Sequence, residues 1–279
     1  MGAGGRRQAR AGGSGLSPAA RLVRRHDPDR FLTALFAPAA RREALLLLYA
    51  FNHELARAGE IASQSTLALI RLQWWREAVE GAPRPHEVAT PLARALAEGM
   101  LEPASLLSLI EAREIEAEPP IPTLAAWRDY LLGTAGQVAA IAGGLLGASD
   151  CEGLRLLGAA YGAAGVLRSV EIQASRGRCL LPEDVLARHG LSVEAVIAAP
   201  RAAALLPVMR VLAEGGRGML RAGLGVTVPR RAIAAGLPAV LARRDLDRIV
   251  RGSSVRSSSR ERGVADRLAV VRAALLGRI

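Results

Sequence analysis

The sequence predicts an all-α protein, a single-domain bundle of long helices. Nearly every segment of the 279-residue chain shows the apolar period of a helix, and no stretch alternates convincingly as a strand does. Aromatic residues make up only 3% of the chain, while alanine and leucine are abundant. This composition favours closely packed helices over a β-sandwich or barrel. The chain is long enough, and at 51% hydrophobic apolar enough, for one large core.

The first 26 residues, MGAGGRRQARAGGSGLSPAARLVRRH, are expected to be a disordered tail that precedes a helical domain over 27–279. They lack the apolar run of a secretory signal. The segment is rich in arginine and free of acids, so it overlaps with mitochondrial presequences, and a targeting role stays open. Its glycine content favours a plain tail.

The first half of the domain contains clear helix signals. Asp27 fits an N-cap, with Pro28 at the first helical position. Four helices are then predicted: 39–62 after Pro38, 65–80 capped by Ser65 or Thr66 and stopped by Gly81, and two shorter ones around 87–99 and 103–117.

The second half begins at the break EPPIPT, after which Thr123 is expected to cap a helix that ends near 146. A second long helix is predicted over about 151–175. The loop RGRCLLP, the short helix EDVLARHG and three or four more helices follow. A break rich in serine and arginine, RGSSVRSSSRERG, precedes the last helix.

One uncharged stretch, Tyr130 to Ala148, is nearly long enough to cross a bilayer. It contains Gln137 and several glycines, and its hydrophobicity is only that of alanine. We therefore predict a buried core helix and no transmembrane span. The glycine pairs Gly143/Gly147 and Gly158/Gly162 indicate close helix contacts.

The net charge is +11, and every basic side chain other than histidine is arginine. The arginine guanidinium binds phosphate through two parallel hydrogen bonds, so diphosphates or an anionic membrane surface are candidate partners. Nucleic acid is not expected, since no nucleic-acid-binding signature occurs and few aromatics could stack on bases. Cys151 and Cys179 are isolated, which favours a reducing compartment and a cytoplasmic location.

Four stretches, LYAFNHELARAGE, RLQWWREAVEG, HEVATPLARAL and GVLRSVEIQASRGRCLLPEDVLARHG, resemble the squalene/phytoene synthase family. The resemblance runs from about residue 27 to 240, and the last stretch is the most specific. It implies an isoprenoid-synthase-like bundle of helices around a central cavity. In that family, acids on two facing helices hold Mg²⁺ against the diphosphates of two prenyl substrates, which are joined head-to-head.

The chain departs from the family at the acidic positions themselves. The first motif's leading acid pair falls on Ala56 and Arg57, and its next acid falls on Glu60. The two acids of the second motif fall on Ser169 and Gln173. Glu60 is thus the one metal-ligand candidate, in a degenerate site that offers little charge to a cluster of dications.

This pattern is closest to a catalytically degenerate branch of the family that contains the mitochondrial complex I assembly factor of this fold. The resemblance implies a non-catalytic protein without a cofactor, acting in respiratory complex I assembly or as a binding scaffold. Its partner would be another protein or a membrane-associated assembly intermediate. The alternative is an active Mg²⁺-dependent prenyl transferase, which would bind farnesyl or geranylgeranyl diphosphate and Mg²⁺.

The resemblance also implies residues that bind a diphosphate or line the cavity: Arg168, Arg176, Arg178, Tyr49, His53 and Gln173. In so arginine-rich a chain, each arginine alone fits a solvated residue equally well, and the tyrosine and histidine also fit core positions. A third class of function is a peripheral membrane protein docked through its arginine surface and last helix. The expected location is then the cytoplasmic face of the inner membrane, or the mitochondrial matrix in a eukaryotic source.

Overall fold

The computed structural model describes residues 15–61, 65–82, 85–117, 120–225, 227–252 and 262–279, and for residues 60 and 61 the backbone alone. The α-helices are α1 (Pro18–His26), α2 (Pro28–Ala34), α3 (Ala39–Ile61), α4 (Ser65–Val79), α5 (Ala89–Ala97), α6 (Pro103–Arg113), α7 (Leu124–Leu131), α8 (Gln137–Leu145), α9 (Glu152–Arg168), α10 (Val170–Ala174), α11 (Glu183–Arg188), α12 (Val193–Ala198), α13 (Leu206–Leu224), α14 (Ile233–Gly236), α15 (Pro238–Val250) and α16 (Val264–Leu276). Across these ranges no β-strand occurs, and the predicted all-α class is confirmed.

Helix α9 is the centre of the bundle, packed against α13, α15 and α8. Its glycines let the backbones approach closely. A Cβ atom on Gly158 would lie 2.5 Å from the carbonyl oxygen of Ala135, and one on Gly162 would lie 2.8 Å from the Cβ of Ala135. The predicted role of this glycine pair in close helix contact is confirmed.

Helix α3 is the second inner helix. Leu45, Leu48, Tyr49, Asn52 and Leu55 are buried along it, and their spacing of three or four residues places them on one face. That face packs into the main core, so the polar Asn52 is held inside the molecule.

The N-terminal boundary differs from the expected one. Residues 18–26 were expected within a disordered tail, but they form α1, which packs on α3 through Ala19, Ala20 and Val23. The side chain of Ser17 caps this helix by accepting a hydrogen bond from the Ala20 amide at 3.0 Å. The sequence pattern did not indicate this helix, because its apolar face consists of only three small residues, Ala19, Ala20 and Val23, in a segment rich in arginine. Residues 1–14 lie outside the described part of the chain.

Two predicted long helices are interrupted. Thr123 caps α7 as predicted, but a π-helical turn at Leu132–Gly136 separates α7 from α8. The predicted helix 151–175 is broken at Ser169, whose φ of −93° and ψ of 2° separate α9 from α10. The Tyr130 to Ala148 stretch is mostly buried in the core. Within the described ranges, no helix combines the length and apolarity needed to span a bilayer.

Candidate functional site

A cavity of about 250 Å³ lies between the two inner helices. Helix α3 contributes Asn52, His53 and Ala56 to its wall, and the α9–α10 junction contributes Ser169 and Gln173. The break at Ser169 is stabilised locally, because its hydroxyl donates to the carbonyl of Val166 at 3.0 Å. The chain therefore brings its two degenerate motifs together around one space.

The motif positions that face this cavity carry no carboxylate. Ala56, Ser169 and Gln173 all line it. Arg57 instead pairs with Glu54 at 3.1 Å, and its side chain is 43% exposed. The side chain of Glu60 is outside the described part of the structure. A methyl, a hydroxyl and an amide do not fit the hard Mg²⁺ ion, which prefers carboxylates beside a phosphate.

Among the residues whose side chains the structure describes, three carboxylates line the cavity elsewhere, and each is already paired. Asp27 accepts from Arg30 at 3.0 Å, and Asp245 accepts from Arg262 at 2.8 Å. Glu116 is paired with Arg113. Within the described ranges, no group of three or more histidine, cysteine or acidic side chains is arranged to hold a metal ion.

A buried polar network forms one wall of the cavity. Arg113 donates to Glu116 and, at 2.8 Å, to the side-chain oxygen of Asn52. The hydroxyl of Tyr130 donates to the same carboxylate at 2.7 Å, and Arg178 donates to the backbone carbonyl of Glu116, also at 2.7 Å. Burial and the charge of Glu116 raise the pKa of Tyr130 well above its usual value. Tyr130 therefore stays protonated and acts as a donor.

Arg30 occupies a second wall. Its guanidinium lies 5.5 Å from the ring centre of Tyr49 and 5.0 Å from that of Tyr161, in cation–π geometry. Burial opposes its charge, but Asp27 and the two rings outweigh burial and raise the pKa of Arg30. The arginine is thus a fixed cation inside the molecule.

A pair of stacked histidines borders the cavity. The rings of His26 and His53 lie 4.5 Å apart and nearly parallel, with an interplanar angle of 15°. His26 belongs to α1, so sequence reasoning that placed it in a tail missed its position here. The two rings join α1 to the inner helix α3.

Four of the six predicted binding residues line this cavity, namely His53, Arg168, Gln173 and Arg178. The buried side-chain oxygen of Gln173 has no hydrogen-bond partner among the described residues. Tyr49 is buried behind Arg30, outside the wall, and Arg176 is exposed on the following loop. The role of all six in binding stays a prediction.

Sequence reasoning missed Arg30, Arg113, Glu116 and Tyr130. A signal for Arg113 exists, because Leu106, Leu109 and Ile110 are buried on α6 and Arg113 follows at the next position of the same face. A charged residue at a core position needs a partner, and Glu116 lies three residues later. Arg30 carries no comparable signal, since it is one of many arginines.

Residues 23–263 match the family model for squalene/phytoene synthase. The protein described as NADH dehydrogenase (ubiquinone) complex I, assembly factor 6, from Mus musculus is 30% identical over 181 residues, 62% of this chain and 54% of that protein. Its Bos taurus counterpart is 30% identical over 198 residues, with 66% and 60% covered. The chain therefore spans little more than half the length of these relatives.

Solved structures share the fold. A dehydrosqualene synthase in complex with a ligand superposes with a TM-score of 0.76 at 14% identity, and 92% of this chain and 94% of that chain are covered. Squalene synthase HpnC from Alicyclobacillus acidocaldarius has a TM-score of 0.61 at 20% identity, with 93% and 92% covered. The predicted isoprenoid-synthase-like bundle is confirmed by these matches.

Proposed function

The chain belongs to the squalene/phytoene synthase family, and we propose that it is a non-catalytic member that acts in the assembly of a respiratory NADH dehydrogenase. One observation carries the proposal. The positions where the family holds Mg²⁺ lie on the cavity wall as Ala56, Ser169 and Gln173. These side chains line the cavity but lack the negative charge that would hold Mg²⁺, the ion that would neutralise a leaving diphosphate.

The remaining charges of the cavity support the same conclusion. The described carboxylates of the cavity, Asp27, Glu116 and Asp245, are paired with arginines, so metal binding by these acids would first require breaking an ion pair. The cavity volume of about 250 Å³ is also below the roughly 300–1,000 Å³ typical of sites for drug-sized ligands.

The assembly role is supported by the similar proteins from Mus musculus and Homo sapiens, which are described as complex I assembly factors. By analogy with them, we propose a protein partner, an assembly intermediate at the membrane surface. We propose that the protein lies at the cytoplasmic face of the inner membrane in a bacterium, and in the mitochondrial matrix in a eukaryote. We propose no cofactor for this role.

A biochemical test separates this proposal from the alternative of an active prenyl transferase. The purified chain is incubated with farnesyl or geranylgeranyl diphosphate, with and without Mg²⁺, and released inorganic diphosphate is measured. We expect no Mg²⁺-dependent release. Release that depends on Mg²⁺ would overturn the non-catalytic assignment and show that acids from other positions replace the lost ones.

A genetic test addresses the assembly role. The gene is deleted in the source organism, and the NADH:quinone oxidoreductase activity of membranes and the amount of the assembled complex on native gels are measured. We expect both to fall and to be restored by the wild-type chain. A Glu60→Gln chain should restore them equally, as should the control Glu54→Gln, since neither carboxylate has a catalytic role. An unchanged complex in the deletion strain would contradict the assembly role, and failure of Glu60→Gln alone would favour an active metal site.

A further inference from the structure

Helix α16 has an inner face that holds it to the bundle. Val270 and Ala274 are buried against α15 in a small apolar cluster that includes Leu237 and Leu241. Asp266, also buried, accepts from Arg244 at 2.5 Å and from Arg248 at 2.7 Å. Burial opposes the charge of Asp266, but these two hydrogen bonds outweigh burial and lower its pKa. One side of the helix is therefore fully used for packing.

The opposite face of α16 is apolar and exposed. Val264 is 74% exposed, Leu268 61%, Leu275 66% and Leu276 60%. Val264, Leu268 and Leu275 are separated by four and seven residues, so they form one stripe along the helix. We call these three residues the α16 stripe; Leu276 lies about 120° round the helix from Val264 and is not part of it. Single exposed aliphatic residues are normal on a protein surface, but these three share one face of a helix, which makes that face a candidate binding surface.

Cations border the stripe on both sides. At 100° per residue, Arg267 lies about 60° to one side of Val264, and Arg272 lies about 80° to the other. Both arginines are exposed, as is Arg278 just beyond the helix. From residue 264 to 279 the sequence has a single acid, Asp266, which is buried and paired on the inner face. The outer face is thus aliphatic and purely basic.

We propose that the α16 stripe docks the protein onto the surface of an anionic lipid bilayer. A helix lying in the bilayer interface buries its apolar face among the acyl chains while flanking arginines reach the headgroups. The bordering arginines match the negative surface of such a membrane. The chain's net charge of +11 adds long-range attraction to the same surface.

A protein partner suits this surface less well. Interface cores are enriched in tyrosine, tryptophan, phenylalanine and methionine, whereas the stripe is aliphatic only. Helix α16 has 13 residues, so it is about 20 Å long. A strip of that length and about 10 Å wide offers on the order of 200 Å², against roughly 800 Å² per partner in a stable protein interface. A bilayer needs no such area, because many weak contacts of lipid and arginine act together.

This inference goes beyond the proposed function and does not depend on it. A protein without any role in complex assembly would still bind lipid through this helix. Conversely, an assembly factor held at the membrane only by its protein partner would leave the stripe unused.

The experiment is vesicle flotation of the purified full chain. One set of vesicles is pure phosphatidylcholine, and the other contains one third phosphatidylglycerol. We expect the wild-type chain to float with the anionic vesicles only and to be released by high salt. The double variant Leu268→Ser/Leu275→Ser should lose about tenfold or more in binding, because two side chains leave the acyl region. Arg267→Gln/Arg272→Gln should weaken binding to anionic vesicles too.

Control variants remove two exposed aliphatic side chains or two arginines elsewhere on the surface. Leu206→Ser/Val211→Ser changes two exposed aliphatic residues of α13, and Arg128→Gln/Arg221→Gln removes two exposed arginines. Both control variants should float like the wild type. Failure of the wild type to float, or equal flotation of the Leu268→Ser/Leu275→Ser variant, would overturn the proposal. The wild type could also fail to bind vesicles and instead self-associate, with the self-association abolished in Leu268→Ser/Leu275→Ser. That result would overturn the proposal and assign the stripe to contact with a second copy of the chain.

Discussion

The buried residue Glu116 connects three parts of the protein. It pairs with Arg113 of α6, accepts from Tyr130 of α7, and its backbone carbonyl accepts from Arg178. Side-chain exposure is only 6% for Glu116 and 10% for Arg113. Removing one member of a buried ion pair leaves the other charge uncompensated in a poorly solvated place.

We therefore expect Glu116→Ala to lower the free energy of unfolding by about 3–5 kcal/mol, measured by urea denaturation. Glu114→Ala is the matched control, because Glu114 pairs with Arg76 at 2.8 Å on the surface, where the side chains are 45% and 29% exposed. Its loss should stay below about 1 kcal/mol. If Glu116→Ala does not fold, Glu116→Gln, which keeps a hydrogen-bond acceptor, should show an intermediate loss. Equal losses at 114 and 116 would contradict the role given to the network.

At the scale of elements, the close contact between α9 and the π-helical turn before α8 depends on Gly158, which has no side chain. A Cβ atom at Gly158 would meet the Ala135 carbonyl oxygen and the Ala139 Cβ, each at 2.5 Å. Backbone cannot move aside as the end of a flexible side chain can, so the helices would have to separate. The cavity wall would shift with them, because Ala135 lines it.

Gly158→Ala is accordingly expected to cost about 1–3 kcal/mol of stability through overpacking, measured by thermal and urea unfolding. Gly215→Ala in the exposed part of α13 is the control, since an added Cβ there meets nothing within 4 Å. That substitution should raise stability by up to about 1 kcal/mol, as alanine favours helix. The same sign at both positions would count against a close-packed contact at Gly158.

At the scale of the whole molecule, the fold brings together two regions that are far apart in the sequence, helix α3 and the α9–α10 junction, around one cavity. The motif positions that face this cavity are Ala56, Ser169 and Gln173, and none of them is a carboxylate. We expect millimolar Mg²⁺, or its removal with a chelator, to leave the melting temperature unchanged. The triple variant Ala56→Asp/Ser169→Asp/Gln173→Asp should melt at a lower temperature, because like charges repel, and should recover when Mg²⁺ is added.

The asparagine version of the same triple variant is the control and should not respond to Mg²⁺. A wild-type melting temperature that rises with Mg²⁺ would mean that other acids of the chain bind the ion. An aspartate variant without any response would show that the two helices do not present their motif positions to a common ion.

The all-α class, the helix caps at Asp27 and Thr123 and the family were accessible from local patterns. Helical periodicity and cap residues such as Asp27 and Thr123 act within a few positions of the chain, so they can be read in order. The lost acids at Ala56, Ser169 and Gln173 were also visible, because the motifs around them are continuous. Helix α1 was missed because its apolar residues are few and stand among arginines.

Only the tertiary structure decided which charges meet. Arg113 and Asn52 are separated by 61 positions, and Arg262 reaches Asp29 across 233. No local pattern distinguishes these arginines from the others in a chain that carries 37 arginines. The same holds for the outer face of α16, because the sequence pattern does not distinguish its leucines from core residues. The tertiary structure shows that the opposite face of the helix is buried and that these leucines are exposed. Periodicity is a property of neighbouring residues, whereas burial and ion pairing depend on how the whole chain closes on itself.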